Sequence, residues 1–286
     1  MKKARQVNKI VAAALVSIST VAINIACAIG FGSGRGGSFP VEETKQVSLS
    51  ASFVEKEIDL NNGIDIAFWE TIPPQSIDLF YQSMVLPWPK NVIPHVLVKT
   101  FFNGESFYVY LEWKDETEDK TIDINRYSDA CAVMFSLDEN QQNLSLTMAF
   151  QGTSNVWQWK ASQDREFWLN ERVETTPYVD FHYPFEEEEL FTVSKQKISS
   201  AANDLIVAGV GTISTKPTQM VEGRGEYDDG SWRVVFKRAL ISPDPEVDAQ
   251  FNREKIHLCR FAVWNGSEGD RGGRKSISYW VGLSLN

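Results

Sequence analysis

Residues 96–113 have the sequence VLVKTFFNGESFYVYLEW, in which two runs of aliphatic and aromatic residues flank the dipeptide Asn103-Gly104. β-Branched and aromatic residues favour strands, and Asn-Gly between two such runs is a strong signal for a tight hairpin turn. We therefore predict two antiparallel strands, at residues 96–102 and 107–113. The sequence around this hairpin repeats the same pattern, which extends the prediction to most of the chain.

The remaining predicted strands are short apolar or alternating runs bounded by Gly, Pro, Asn and Asp. They lie at residues 47–54, 64–69, 130–135, 144–150, 156–160, 224–227, 232–240, 255–264 and 277–285. A second hairpin is indicated by Asp228-Asp229-Gly230. Short strands at this spacing are typical of a β-sandwich. We predict an all-β fold, an antiparallel β-sandwich formed by one domain over residues 46–286.

Two segments interrupt the strand pattern. Residues 161–203 have weak periodicity and contain an acidic run at 186–189, so we predict a long irregular excursion with a short helix, crossing between the sheets. The acidic run is most simply a solvated face, with docking of a positively charged partner as the alternative. Residues 243–252 (PDPEVDAQFN) predict an exposed connection.

The N-terminus has the features of an export signal. Lys2, Lys3 and Arg5 precede an apolar run at residues 10–29, and Ala26-Cys27-Ala28 is a small-x-small cleavage site. We predict a signal peptide at residues 1–28 and a flexible, glycine-rich leader at 29–45. The predicted location is the periplasm or an equivalent extracytoplasmic compartment. An uncleaved anchor is the alternative, because the run approaches the ~20 residues of a spanning helix.

Composition excludes several classes of function. The formal net charge of -10 argues against nucleic acid as a partner and suits a cationic or mixed protein surface. No Walker loop, GxSxG motif or zinc-ligand spacing of histidines is present, so the sequence carries no signature of a catalyst. The absence of CxxCH excludes the usual covalent c-type haem attachment. After signal removal Cys131 and Cys259 remain, which permits a single disulfide in an oxidising compartment.

The most informative segment is FAVWNGSEGDRGGRKSIS at residues 261–278. An apolar strand ends at Trp264, a glycine-rich polar loop follows, and Arg274-Lys275 opens the last strand. Glycines in such a loop allow the backbone to approach a ligand closely. Five further segments accompany it: DACAVMFS (129–136), LTMAFQG (146–152), VWQWKA (156–161), GVGTIST (209–215) and GSWRVVFKRAL (230–240).

At these segments the chain resembles the haem b subunits of type II dimethyl-sulfoxide-reductase-like molybdenum enzymes. These are the third subunits of ethylbenzene dehydrogenase, dimethyl sulfide dehydrogenase, selenate and chlorate reductase, and related nitrate or nitrite oxidoreductases. The resemblance covers residues 65–285 and is strongest in the segment around Lys275. It implies a periplasmic β-sandwich with a single pocket for one non-covalent haem b.

The resemblance also implies partners. In this family the haem relays electrons to or from an iron–sulfur subunit, while a separate molybdopterin subunit performs the catalysis. We therefore expect a heterotrimer in which this chain is a non-catalytic electron-transfer subunit. A soluble cytochrome c is the expected external electron partner.

The axial ligands that the resemblance implies are Met148 in LTMAFQG and Lys275 in RGGRKS. A thioether is a soft neutral ligand that favours reduced iron, and a lysine must lose its proton to coordinate, which burial promotes. We expect Arg274 to lower the pKa of Lys275 and to pair with a haem propionate. Met134 is the rival sulfur ligand and Lys237 the rival amine, although we expect the strand face of Lys237 to be exposed to solvent.

Other residues have two interpretations each. Trp157 and Trp159 share a strand face and either line the haem or form ordinary sandwich core. Arg126, Asp129 and Arg260 either orient propionates or make surface salt bridges.

The competing hypothesis for the whole chain is an extracellular carbohydrate-binding β-sandwich module. It is suggested by FYVYLEWKDET at residues 107–117, whose aromatic side chains, if exposed, would stack on sugar rings.

Overall fold

The computed structural model describes residues 48–82, 88, 91–123, 125–138, 152–169, 198–209 and 211–286. The strands are β1 Ser48–Phe53, β2 Gln75–Asp78, β3 Phe80–Tyr81, β4 His95–Phe102, β5 Ser106–Lys114, β6 Ala130–Ser136, β7 Ser154–Lys160, β8 Ala202–Val207, β9 Ser214–Thr215, β10 Glu222–Asp228, β11 Ser231–Ala239, β12 His257–Trp264, β13 Ser276–Ile277 and β14 Val281–Leu285. The helices are α1 Ile66–Glu70 and α2 Ala161–Leu169, preceded by a 3-10 turn at Leu60–Asn62.

Both predicted hairpins are confirmed. β4 and β5 pair antiparallel with Phe102 opposite Phe107. In their turn the Asn103 side-chain oxygen accepts hydrogen bonds from the backbone N–H groups of Glu105 and Ser106, at 3.1 and 2.8 Å. Between β10 and β11, Asp229 and Gly230 have φ angles of 46° and 67°. Positive φ at both central residues suits the right-handed twist of the paired strands.

The strands form two sheets that pack face to face. The first sheet contains β10, β11, β5, β4 and β2, and the second contains β14, β12, β6, β7, β8 and β9 with β13 and β3 at its side. β1 connects the two, because it pairs in parallel with both β14 and β4. The predicted β-sandwich is confirmed, and the parallel pairing of β1 is the departure from a wholly antiparallel arrangement.

The space between the sheets is filled by aromatic side chains. Trp157 packs against Phe135 with ring centroids 4.7 Å apart, and Phe251 packs against Phe107 at 4.5 Å. The inner faces of both sheets contribute to this one buried cluster. Burial of such large apolar surfaces is the main favourable contribution to folding.

The predicted strand at 64–69 is wrong, because residues 66–70 form α1. Asp65 caps this helix by accepting a hydrogen bond from the Phe68 N–H at 3.1 Å. Trp69 then packs on the outer face of the first sheet, against Phe101 and Tyr110. This cluster buries Val235 completely, so the predicted solvent exposure of that face of β11 is also wrong.

Several other predictions need adjustment. Residues 277–285 form two strands, β13 and β14, and the predicted exposed connection at 243–252 contains the buried residues Asp248, Ala249 and Phe251. The predicted short helix after β7 is confirmed as α2. The predicted strand at 144–150, the acidic run at 186–189 and the predicted signal and leader (1–45) lie outside the described residues.

The two cysteines are not bridged. Both are buried and free, and Cys259 lies opposite Phe135, four residues along β6 from Cys131. That offset corresponds to roughly 13 Å along a strand, whereas a disulfide requires Cα atoms within about 7 Å.

In the described ranges, none of the helices has the length and apolar character needed to cross a membrane.

Candidate cofactor site

Three alanines form a buried area on the outer face of the second sheet, which we call the alanine face. Ala130 and Ala132 lie on β6, and Ala262 lies opposite Ala132 on β12. They are 5%, 0% and 0% exposed. Met134 and Trp264 point to the same side by strand alternation and belong to the same buried cluster. Leu205, Val207 and Ile277 belong to this apolar cluster as well, and Phe80 and Trp280 pack against it.

Lys275 lies at the edge of the alanine face. Ile277 of β13 pairs with Ala262 and belongs to the same cluster, and alternation puts Lys275, two residues earlier, on the same side. Its Nζ atom lies 4.7 Å from the centroid of the Trp264 ring. Burial lowers the pKa of Lys275 to about 8, and the positive charge of Arg260 acts in the same direction. The neutral amine, which is the metal-binding form, is therefore far easier to reach than for a solvated lysine.

The glycine-rich loop before Lys275 is held by specific hydrogen bonds. The Gly266 N–H donates to Asp129 Oδ1 at 2.8 Å, and Trp264 Nε1 donates to the Gly272 carbonyl at 3.0 Å. Gly266 is required sterically, because a Cβ atom there would lie 2.1 Å from the Tyr127 carbonyl oxygen. These contacts fix the loop that delivers Lys275 to the alanine face.

Asp129 is the anchor of this loop, not a group that faces a cofactor. Besides the Gly266 N–H, its carboxylate accepts hydrogen bonds from the Asp119 N–H at 2.7 Å and from Trp232 Nε1 at 2.9 Å. Burial, with the nearby charge of Asp115, raises the pKa of Asp129 to about 7. The expectation that Asp129 orients a propionate is corrected: its oxygens bind the protein's own N–H groups.

Replacing Asp129 with asparagine should destabilise the domain by about 2 kcal/mol, because the amide offers one acceptor oxygen where three donors converge and leaves a buried N–H unpaired. The free energy of unfolding in urea measures this. Asp138→Asn is the control, since Asp138 is an exposed aspartate at the end of β6. Equal stability of the two variants would contradict the anchoring role.

The two arginines near Lys275 have different surroundings from those expected. Arg274 Nη2 donates to the Glu268 carbonyl at 3.0 Å, and its Nε lies 3.4 Å from Asp270 Oδ1. The positive charge that acts on the pKa of Lys275 is that of Arg260, which corrects the role expected for Arg274.

Arg260 is fully buried and lies opposite Met134 in the strand ladder. Its Nε and Nη2 atoms both donate to the Ser278 carbonyl, at 3.0 and 2.6 Å. The guanidinium carbon also lies 5.3 Å from the centroid of the Trp280 ring. Burial lowers the pKa of Arg260 to about 10.

Trp157 and Trp159 lie in the core between the sheets. On β7 they are opposite Val133 and Cys131, whose side chains point inward. Trp159 packs against Trp232 and its Nε1 donates to Asp164 Oδ2 at 2.9 Å. Of the two interpretations for this pair, sandwich core is the one observed. This corrects the expectation that they line a pocket together with Lys275.

The two rival ligands, Met134 and Lys237, lie in different sheets. Met134 lies on the alanine face and is 1% exposed. Lys237 lies on β11 in the first sheet, where its Nζ is 2.6 Å from Glu57 and 3.7 Å from Glu222. Lys237 is therefore excluded as the amine beside the alanine face. Met148 lies outside the described residues, so its position stays a prediction.

Arg126 is exposed in a turn before β6. Its backbone N–H and carbonyl pair with those of Asp123 at 3.0 and 3.1 Å. The structure does not bring its side chain to the buried cluster of the alanine face. Among residues 48–82, 88, 91–123, 125–138, 152–169, 198–209 and 211–286, no group of three or more His, Cys, Asp or Glu residues is arranged to hold a metal ion.

The aromatic side chains of β5 are not exposed, which corrects the expectation that suggested sugar stacking. The aromatic residues of β5 are Phe107, Tyr108, Tyr110 and Trp113, and each is at most 2% exposed. They pack within the two clusters on either side of the first sheet, so they present no platform to a sugar ring.

Sequence reasoning missed the alanine face itself. A usable signal was present, because alternation in DACAVMFS puts Ala130, Ala132 and Met134 on one side of a strand and the cysteine and valine on the other. The pairing that brings Ala262 beside Ala132 depends on register across 130 positions of sequence, which no local pattern specifies.

Solved structures with some likeness are sugar-binding proteins. A family 9 carbohydrate-binding module of Caldicellulosiruptor kristjanssonii in complex with glucose has 11% identity and a TM-score of 0.42, covering 84% of this chain and 95% of its own. A candidate carbohydrate-binding protein of Bacteroides uniformis has 10% identity and a TM-score of 0.44, covering 84% and 100%. Likenesses of this size support no argument about this chain.

Sequence relatives are more informative. The chain is 27% identical to a Haloferax mediterranei protein named as a candidate respiratory nitrate reductase heme subunit, over 74% of this chain and 64% of that protein's length. It is 23% identical to the dimethylsulfide dehydrogenase subunit gamma of Rhodovulum sulfidophilum, over 77% and 74%. The family model described as ethylbenzene dehydrogenase matches residues 67–276. That match covers most of the domain, and the chain belongs to the ethylbenzene dehydrogenase family.

Proposed function

We propose that this chain is the haem b electron-transfer subunit of an exported molybdopterin oxidoreductase and performs no substrate chemistry itself. The observation that carries the proposal is Lys275, whose partly buried amine with a lowered pKa lies 4.7 Å from the Trp264 ring, at the edge of a buried apolar cluster. Membership of the ethylbenzene dehydrogenase family supports it, as do two relatives named as a heme subunit and a gamma subunit.

The residues present fit a porphyrin. A macrocycle needs apolar surroundings, and a haem beside Lys275 would pack on the apolar cluster that contains Ala130, Ala132 and Ala262. An amine can bind iron only when neutral, and burial of Lys275 lowers its pKa to about 8. Trp264 and Ile277 flank the alanines and would exclude water from the ring edges.

Lys275 and Met148 would hold the haem iron, with Met134 as the alternative sulfur because it lies on the alanine face. A bound haem b would accept and release one electron at a time. The side chains around Lys275 would orient its amine, ease the loss of its proton and exclude water. A neutral Met/Lys ligand pair in an apolar setting favours the reduced metal.

The proposed complex is a heterotrimer with an iron–sulfur subunit and a molybdopterin catalytic subunit. In this arrangement the catalytic subunit exchanges electrons with its substrate, and this chain carries them between the iron–sulfur subunit and a soluble cytochrome c. The proposed location is the periplasm or an equivalent extracytoplasmic compartment.

Absorption spectroscopy of the purified chain tests the haem assignment and separates the two sulfur candidates. We expect a reduced b-type α-band with one haem per chain. Met148→Ala should shift that spectrum and lower the reduction potential, because it removes a ligand that favours reduced iron, while Met134→Ala should alter neither. The reverse result would assign Met134 as ligand, and absence of any haem after reconstitution would reject the proposed function.

A further inference from the structure

We propose that one surface beside the Lys275 loop, which we call the rim surface, docks a basic electron-transfer protein through an acidic cavity and an adjoining aromatic patch. The rim surface consists of Tyr81, Val92, Glu116, Glu268 and Tyr279. The proposal rests on the proposed function, since it names the surface through which the same site would exchange electrons.

The rim surface is tied directly to the segment that carries Lys275. Tyr81 of β3 pairs with Ser276 of β13, and the Gln82 N–H donates to the Lys275 carbonyl at 3.0 Å. The Ile93 N–H donates to Ser276 Oγ at 3.0 Å, which places Val92 beside the same ladder. A partner bound here would therefore be close to whatever Lys275 ligates. A short distance favours electron transfer, because its rate falls steeply as the distance increases.

The apolar part of the rim surface contains two tyrosines and a valine, and all three are exposed. Tyr81 is 41% exposed, Val92 37% and Tyr279 60%. Tyr279 packs against Phe80 with ring centroids 4.5 Å apart, and Phe80 packs against the cluster of the alanine face. Exposed apolar patches, and aromatic residues within them, are typical of surfaces that bind other proteins.

The acidic part is a cavity of about 500 Å³ at the same end of the sandwich. Its charged lining residues are Asp115, Glu116 and Glu268 against one lysine, Lys114. The amide nitrogen of Asn91 donates to Glu268 Oε1 at 2.8 Å, which joins the cavity to the segment that carries Val92. The cavity therefore opens beside the aromatic patch and has a net negative charge.

Asp115 lines the cavity with a buried carboxylate that is only partly hydrogen-bonded. Its side chain is 4% exposed, and its Oδ2 has no hydrogen bond in the described part of the chain. Burial raises the pKa of the Asp115 carboxyl. A buried acceptor without a donor is costly, and a primary ammonium entering the cavity would supply one.

These features together fit a partner whose lysines surround an apolar contact area. The net charge of -10 would steer a basic protein toward this chain, a lysine would enter the acidic cavity, and the apolar area would cover Tyr81 and Tyr279. A second copy of this chain, also strongly acidic, does not fit that requirement.

Calorimetric binding of mitochondrial cytochrome c, used as a basic probe, to the full chain tests the proposal. We expect Glu116→Gln combined with Glu268→Gln to weaken binding about tenfold at low ionic strength, and the difference to shrink at physiological salt. The control combines Glu105→Gln with Glu254→Gln, which removes the same charge from turns at the opposite end of β5 and β12. The affinity of this control should stay within about twofold of wild type, because Glu105 and Glu254 lie far from the rim surface and salt screens their charges.

A third variant, Tyr279→Ser, should weaken binding at both salt concentrations, because it removes apolar contact and no charge. Equal weakening by the two glutamate pairs would mean that net charge alone attracts the probe, and this would overturn the proposal. Binding is measured without haem, so a chain that binds the probe at the rim surface but takes up no haem would reject the proposed function and leave the docking surface standing.

Discussion

Replacing Lys275 with alanine is expected to abolish stable haem binding, while replacing Lys237 with alanine leaves it unchanged. Lys275 has its amine at the edge of the alanine face, 4.7 Å from the Trp264 ring centroid. Loss of a direct ligand should cost more than the 10- to 100-fold in affinity that is typical when a partner behind a metal ligand is lost. Lys237 lies in the other sheet, where its amine forms ion pairs with Glu57 and Glu222.

Haem titration followed by visible absorption gives the affinity and the ligand spectrum in one experiment. Lys275→Met is an informative companion, because a thioether can occupy the vacated position: we expect haem to bind with a changed spectrum. Thermal unfolding of the haem-free variants should match wild type, which separates lost ligation from lost folding. Retention of a wild-type spectrum by Lys275→Ala would remove Lys275 from the site, whatever the function of the chain.

The fold was predictable where the determining interactions are local. Asn103-Gly104 and Asp229-Gly230 specify their hairpins through backbone conformations that few other residues adopt. Residues 66–70 show the limit, because FWE after an aliphatic start fits a strand as well as a helix. The Asp65 cap and the packing of Trp69 on Phe101 decide for the helix, and only the first of these is visible in the sequence.

The candidate site was predictable only in part. Lys275 was identified from a resemblance that covers the glycine-rich loop and places a lysine at its end. Alternation showed that Trp157 and Trp159 share a face, but which face is inside depends on how β7 pairs with β6 and packs on the first sheet. A period of two identifies partners on one side of a strand and leaves the choice of side to tertiary structure.

Residues 243–246 are exposed, as predicted for this connection, but Asp248 is buried because it belongs to a charge network. Lys216 lies between Asp204, 2.8 Å away, and Asp248, and these three side chains are at most 4% exposed. Arg238 approaches Asp248 at 3.5 Å, and Asn155 donates to Asp204 at 2.7 Å. The network fastens β7, β8 and β11 to a segment whose composition indicates an exposed loop.

Replacing Lys216 with methionine should therefore destabilise the domain by about 3–5 kcal/mol, because it leaves two buried carboxylates without the cation between them. The chain offers a matched control in Lys56→Met. Lys56 makes an equally short ion pair, 2.9 Å from Asp65, but both side chains are 40% exposed or more. Water already solvates that pair, so its loss should change the free energy of unfolding by no more than about 1 kcal/mol.

Urea unfolding of the two variants, monitored by tryptophan fluorescence, measures the difference directly. Because Asp248 belongs to the segment 243–252, we also expect faster proteolysis of that segment in Lys216→Met than in Lys56→Met, as the buried carboxylates regain water by local opening. Should both variants lose the same small amount of stability, water must reach Asp204 and Asp248, and the network would then be a solvated surface pair like that of Lys56. A large loss confined to Lys216→Met means that the end of the sandwich depends on charge pairing, in contrast to the apolar packing of its centre.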